Sequence, residues 1–448
     1  MPIGLLRYGI HPLEERDGRK LTDGKGILAF TPRVVHIPLP DRADVHAVVA
    51  VGDEVFFGQI LGAPNSEDAV AIHASVSGRV SAVASRETPE GQAVCVTIEN
   101  NRRSRPAAGL PRRTRLGGMD VAQSLEPEEI RQMMRDSGVV WMDGSAGPLH
   151  LDFHAKAQEA RIEYVLIDAC ESEPYITCVH SQLCENAIQA ISAARLLARA
   201  AGRAAPVLCL PDDRPNAIQA LRIAAEGTDV RISILRTVYP LGGERALVRA
   251  ALGAEIPAGG RAADIGVIVV PAASAFAFHD AAKTGMPVTR RVVTVSGRVG
   301  DPHNVLVPFG TPIADLVAFC GGMIDVSDRL IAGGPMTGRA VRSPDTPVTA
   351  TTAAVLVLPP TDDAESVCIR CGACVRACPE RLLPYRIDET LLYGRAESIP
   401  SLHPEVCTGC GACSYVCPAK RSLAPRIFSA GKNIGWQGAA QVSGGGTT

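Results

Sequence analysis

Eight of the 14 cysteines fall into two runs with the same spacing: Cys368-x2-Cys371-x2-Cys374-x3-Cys378-Pro379 and Cys407-x2-Cys410-x2-Cys413-x3-Cys417-Pro418. Three cysteines at steps of three can wrap a turning loop around one face of a 4Fe-4S cubane. The fourth, followed by proline, opens a helix, points away from that loop and ligates the other cubane. The spacing therefore predicts two interlocked ligand sets. Cluster one takes Cys368, Cys371, Cys374 and Cys417; cluster two takes Cys407, Cys410, Cys413 and Cys378. Gly372, Gly409 and Gly411 supply the backbone freedom such loops need. A pair of zinc ribbons needs two Cys pairs set further apart, and it requires neither a third cysteine three residues on nor a Cys-Pro ending. Two cubanes in one small domain make a one-electron wire.

The remaining cysteines, Cys95, Cys170, Cys178, Cys184, Cys209 and Cys320, stand in apolar or helical contexts. They are expected to be buried as small hydrophobes. Clustered cysteines fit a reducing compartment, where they serve as metal ligands before they form disulfides. The segment Met1 to Pro12 lacks the apolar run of a signal peptide. No stretch reaches the length of a bilayer span; Ile265 to Phe278, broken by Pro271 and Ser274, reads as a buried strand entering a loop. A formal net charge of −2 over 448 residues argues against nucleic acid as a partner.

The rest of the chain reads as a multidomain α/β protein. Residues 1–105 carry short strands separated by Gly, Asp and Ser turns, the pattern of a small β domain. "VGDEVFFGQI" followed by "IHASVSGRVSAV" resembles the barrel-sandwich hybrid of biotinyl and lipoyl domains. No lysine stands near Ala74 or Ser75 to be modified, so a scaffolding role is expected. Residues 101–120 form a basic linker, read either as a solvated loop or as a strap for an acidic partner or anionic lipid.

Residues 121–285 alternate helix and strand, the signature of a parallel Rossmann-like sheet. A helix follows Glu126 and stops at Gly138, Tyr164 to Asp168 is a strand, and one long helix runs from Ser181 to Gly202. Ligands of such sheets bind at the C-terminal strand ends, which points to the loop Ala169-Cys170-Glu171-Ser172-Glu173-Pro174-Tyr175. Residues 286–345 turn β-rich, 361–426 hold the helical two-cluster ferredoxin-like domain, and 427–448 form a tail that ends in disorder.

Taken together, "YGIHP" (8–12), "VHIPLP", "IHASVSG", "SEPYIT", "RVVTVSG", "GGPMTG" and the two cysteine runs resemble the RnfC family of the Rnf electron-transport complex, in order and over nearly the whole length. The resemblance implies a cytoplasmic subunit, peripheral on the cytoplasmic face of the inner membrane. Its partners would be other subunits of a membrane electron-transport complex or a partner reductase. It also implies NADH as substrate, FMN as the flavin, two 4Fe-4S clusters, and an oxidoreductase component of the NADH:ferredoxin type. The region after Arg291 looks like that family's β-grasp (SLBB-like) module. Gly144, Glu171, Glu173 and Tyr175 are the cofactor-facing residues it implies.

One stretch departs from the family. Where NADH- and FMN-using members carry GxGGAGFPT, this chain has Trp141, Asp143 and Ala146 at glycine positions, and Asp152 where lysine is usual. A Trp and an Asp remove the space for close backbone approach to a phosphate and add like charge. This departure opens an alternative: a flavin-less adaptor that relays electrons from a ferredoxin, flavodoxin or partner reductase through the clusters.

Overall fold

The computed structural model describes residues 8–442, apart from 14–17, 40–44, 67, 111–124, 145, 154–160, 203, 258, 362–363 and 395. The second half of the basic linker and the end of the tail thus lie outside the described residues.

The N-terminal unit is built on the antiparallel strands Val34–Leu39, Gly78–Thr88 and Gly91–Asn100, with a second small sheet folded against them. Val35, Ile37, Val80, Val96 and Ile98 fill its core. It touches both of the following units. Gly138, at φ +68°, lets the end of the first α/β helix lie against the Ala71 carbonyl, which a Cβ there would approach to 2.8 Å. On the other side Ser75 donates to the Phe309 carbonyl at 2.6 Å.

The middle unit is a four-stranded parallel sheet in the order Arg231–Leu235, Ala205–Pro211, Tyr164–Asp168, Val267–Pro271. Both faces are covered, as the apolar strand runs require. Val165 and Ile167, Leu208 and Leu210, and Ile268 and Val270 pack under the helices Pro127–Asp136, Ala187–Ala200 and Ala272–Thr284. The alternate residues Leu166, Val207, Cys209, Val267 and Val269 face Leu247 and Val248 of the helix Glu244–Leu252. The chain leaves Tyr164–Asp168 toward opposite sides, so the switch point lies between Asp168 and Pro271, where such sheets open a crevice.

Two expectations are corrected here. The long helix is two helices, Cys178–Glu185 and Ala187–Ala200, broken at Asn186 (φ −129°, ψ 38°). The apolar run from Ile265 is a strand, Val267–Pro271, that turns directly into the helix Ala272–Thr284 rather than a loop. An all-round apolar run has no periodicity to separate the two.

The third unit is a six-stranded mixed sheet around Arg290–Gly297. It takes Ala354–Leu358 as an inner strand and borrows Leu28–Ala29 from the N-terminal region at its edge, so it extends past residue 345 and draws on residues before 105. The cysteine-rich unit follows, with the short helices Ala373–Ala377 and Ala412–Tyr415 and the longer Pro384–Leu392 and Leu423–Val442. The last of these carries helix through most of the expected tail. No helix among the described residues is long and apolar enough to cross a membrane.

Candidate functional site

The eight cysteines gather into two sets around two cavities. Cys368, Cys371, Cys374 and Cys417 line one. Cys378, Cys407, Cys410 and Cys413 line the other. Each run thus sends its fourth cysteine to the opposite cavity. Gly372, Gly409 and Gly411 all have positive φ (72°, 71° and 79°), which bends the loops around the cavities. Cys378 lies at the C-terminal end of Ala373–Ala377, not at the start of a helix as expected. Pro379 is the reason: the residue before a proline is pushed out of the helical region, so Cys378 takes an extended conformation.

Among the described residues, no three His, Cys, Asp or Glu side chains converge on a point that would hold a single ion. Around each cavity stand three cysteines of one run at steps of three and the fourth cysteine of the other run, the ligand pattern of a 4Fe-4S cubane. The residues present therefore fit two 4Fe-4S clusters.

The two cavities differ in setting. Around cluster one, Cys371 is exposed, and its neighbours Val367 and Ile369 are 83% and 67% exposed. Cluster two is held against the α/β unit. Tyr239 donates its phenolic hydrogen to the carbonyl of Cys410. Arg249 donates to the Pro379 carbonyl at 3.3 Å and lies 3.9 Å from the buried Glu380 carboxylate. Met336, in the "GGPMTG" turn, lies against Gly411, where a Cβ would sit 2.6 Å from its carbonyl oxygen.

The acidic loop is engaged internally. The Glu171 carboxylate accepts from the N–H groups of Val179 (2.8 Å) and His180 (3.1 Å), and the Cys178 thiol donates to it at 3.2 Å. It thereby satisfies the N-terminal donors of the helix Cys178–Glu185. Glu173 accepts from Met336 N–H at 2.9 Å, from Thr337 N–H and from the Thr337 hydroxyl. Burial pushes its carboxyl up from the ordinary value. It ties the loop to the turn that backs cluster two. Tyr175 (φ +68°) packs under the loop against Gly18, where a Cβ would fall 2.6 Å from its ring. The structure thus leads Glu173 toward cluster two, whereas Glu171 and Tyr175 hold local structure.

Gly144 (φ +103°) is exposed at the tip of the altered loop, with open space around it. The loop folds on itself: Trp141 N–H donates to the Gly147 carbonyl at 2.8 Å. Met142 N–H donates to Ser274 Oγ, which donates onward to the Val140 carbonyl, both at 2.9 Å. Asp152 forms an ion pair with Arg261 at 2.8 Å. Asp168 accepts from Gly243 N–H at 2.7 Å and from Cys170 N–H at 2.9 Å. Burial pushes its carboxyl up, and nearby Asp143 adds to the effect. The anion-receiving donors described at this edge of the sheet are thus taken by the chain's own side chains. Gly144 and Gly243, both at positive φ with open space where a Cβ would stand, remain available at this edge to a flavin phosphate.

Tyr239, Arg249 and Met336 were not found by sequence reasoning. They lie far from the cysteine runs in sequence, and only "GGPMTG" stood out, as one of the segments that carry the family resemblance. Of the six other cysteines, five are buried as expected; Cys184 is exposed, because it falls in the last turn before the break at Asn186.

Fold and site define an iron–sulfur electron-transfer protein that joins a two-cluster domain to a parallel α/β domain. Residues 5–103 match the RnfC barrel sandwich hybrid domain, 134–280 the Nuo51 FMN-binding domain, 292–340 the SLBB domain and 367–420 the 4Fe-4S dicluster domain. The chain belongs to the RnfC family, the electron-transfer subunits of the Rnf complex, whose partners are the other subunits of that complex. It is 32% identical to the RnfC-type subunit of the proton-translocating ferredoxin:NAD(+) oxidoreductase complex of Clostridium ljungdahlii, over 85% of this chain and 82% of that one. It is equally identical to the counterpart from the Na(+)-translocating complex of Acetobacterium woodii, over 86% and 87%. A solved NAD+-reducing [NiFe]-hydrogenase shares the fold, with a TM-score of 0.51, 15% identity and coverage of 70% and 64%.

Proposed function

We propose that this chain carries electrons between its α/β side and a redox partner through cluster two and then cluster one, with the eight cysteines as ligands. The observation that carries the order is the asymmetry of the two cavities. Tyr239, Arg249 and Met336 grip the loops of cluster two, while Cys371 of cluster one is exposed and shares its cavity with the exposed Ile369. Exposure and neighbouring charge also set cluster potentials, so the two centres should differ in potential.

The names of the relatives supply the outer couple. In this reading NADH and ferredoxin are the two ends of the reaction, and the chain is a peripheral part of an ion-translocating complex on the cytoplasmic face of the membrane. Anaerobic purification followed by iron analysis and EPR tests it. The expected result is about eight irons per chain, from two cubanes, both reversibly reducible. Irons near two per chain, or clusters that never reduce, would end it.

A second reading, the flavin-less adaptor, is favoured by the self-occupied anion donors around Asp168 and Asp152. Under it, a ferredoxin, flavodoxin or partner reductase loads the clusters directly. Stoichiometric FMN with fast bleaching of the clusters by NADH would exclude it.

A further inference from the structure

The "YGIHP" segment lies where the α/β unit meets cluster two. Ile10 and Tyr239 exchange backbone hydrogen bonds in both directions, each at 2.8 Å. Gly9 (φ +121°) allows this approach, since a Cβ there would lie 2.7 Å from the Tyr239 carbonyl oxygen. On either side the segment reaches the cluster unit. The Arg381 guanidinium stands over the Tyr8 ring at 4.7 Å, and Leu13 N–H donates to the Tyr415 hydroxyl at 3.0 Å. Arg381 follows Cys378 by three residues, and Tyr415 lies between Cys413 and Cys417. The segment is therefore a strap across the junction.

Tyr239 is the centre of that junction. Its backbone is fixed by the strap, its side chain is 2% exposed, and its hydroxyl is directed at the carbonyl of Cys410. A buried phenol must find a hydrogen-bond partner, and here the partner is the main chain of a cluster ligand. The positive end of the O–H dipole is thereby directed at the main chain of a residue that lines the cluster two cavity, in surroundings where dipoles are weakly screened. Reduction adds one electron to the cluster and moves no proton from the phenol. The dipole favours the reduced, more negative state.

We propose that Tyr239, held by the Tyr8–Pro12 strap, is a positioning residue that raises the reduction potential of cluster two relative to the same cluster without it. The inference rests on the reading above only in taking the eight cysteines as cluster ligands. Hydrogen bonding around a cluster is among the factors that tune its potential.

The test is an EPR-monitored redox titration of the full chain with both clusters loaded, using dithionite as reductant. Tyr239→Phe should keep the wild-type iron content and shift one midpoint downward, leaving the other in place. The shifted centre should be the one whose signal survives in Cys371→Ser, which removes a ligand of cluster one. Gly9→Val keeps the phenol but pushes the strap from its seat, and should move the same midpoint in the same direction. Unchanged midpoints in Tyr239→Phe, or a shift confined to cluster one, would overturn the proposal while leaving the electron-transfer reading intact. Failure of both centres to reduce reversibly would overturn both.

Discussion

Asp168 accepts a hydrogen bond from the Gly243 N–H at 2.7 Å, so a side chain of the protein itself takes a donor at the start of the helix Glu244–Leu252. Helix starts of this kind are where phosphates settle in related architectures. With Asp143 nearby and Trp141 folded into its own hairpin, two carboxylates stand where a phosphate would approach this edge of the sheet. Replacing Asp143 by Gly and Asp168 by Asn should tighten FMN binding by about five- to thirtyfold, the effect of removing unfavourable charge worth about 1–2 kcal/mol. Asn at 168 still offers an oxygen to Gly243. Quenching of flavin fluorescence on titration measures it; affinity equal to wild type would show that the carboxylates are not the obstacle.

The crossed cavities make a prediction about pairs of cysteines. Cys417→Ser should erase the same EPR signal as Cys374→Ser, although the two lie in different runs, because both line cluster one. Cys378→Ser should behave like Cys410→Ser. If signals are instead lost run by run, each run holds its own cluster and the ligand assignment fails.

Glu173 bridges the acidic loop and the turn behind cluster two through Met336 and Thr337. Glu173→Ala leaves those donors unmatched and should cost about 1–3 kcal/mol. A lowered melting temperature should be accompanied by faster proteolysis within residues 333–338. Glu173→Gln keeps one accepting oxygen and should lose less. Equal effects for both would mean that only side-chain volume matters.

His73 connects pH to stability. Burial lowers its pKa from 6.5 to about 4. The unfolded chain takes up a proton below about 6.5, and the folded chain does not until near 4. Stability is thus complete above 6.5 and declines as pH falls through that window. Chemical unfolding followed by circular dichroism between pH 7 and pH 4 should show the decline, with His73→Gln flattening part of it. An unchanged slope in the variant would assign the effect to other groups.

Local rules made much of this chain legible. The alternation of strand and helix from Tyr164 to Leu235 is visible because each element is bounded by its own turn residues. The stop at Gly138 is visible because its φ of +68° suits glycine. The errors have local causes as well. Asn186 breaks a helix whose apolar pattern continues on both sides, and Ala272–Thr284 carries apolar residues all round, so its period is hidden. Glu171 stands seven residues ahead of the helix start it satisfies at Cys178, beyond the spacing of ordinary capping signals.

The chemistry was already written in the order of residues: two cysteine runs whose spacing dictates cubanes and crossed ligation, and a glycine loop altered by Trp141 and Asp143. The spacing within each run and within the loop is set by neighbours a few residues apart, whereas the crossing of the fourth cysteines joins the two runs through the fold. Which cluster faces the α/β unit, and which opens to solvent, emerged from long-range packing instead. Ile10, Tyr239, Met336 and Cys410 are separated by tens to hundreds of residues, and no local pattern encodes their meeting. Burial of Tyr239 and the need to satisfy its hydroxyl bring them together, and that tertiary arrangement gives the two clusters their different places.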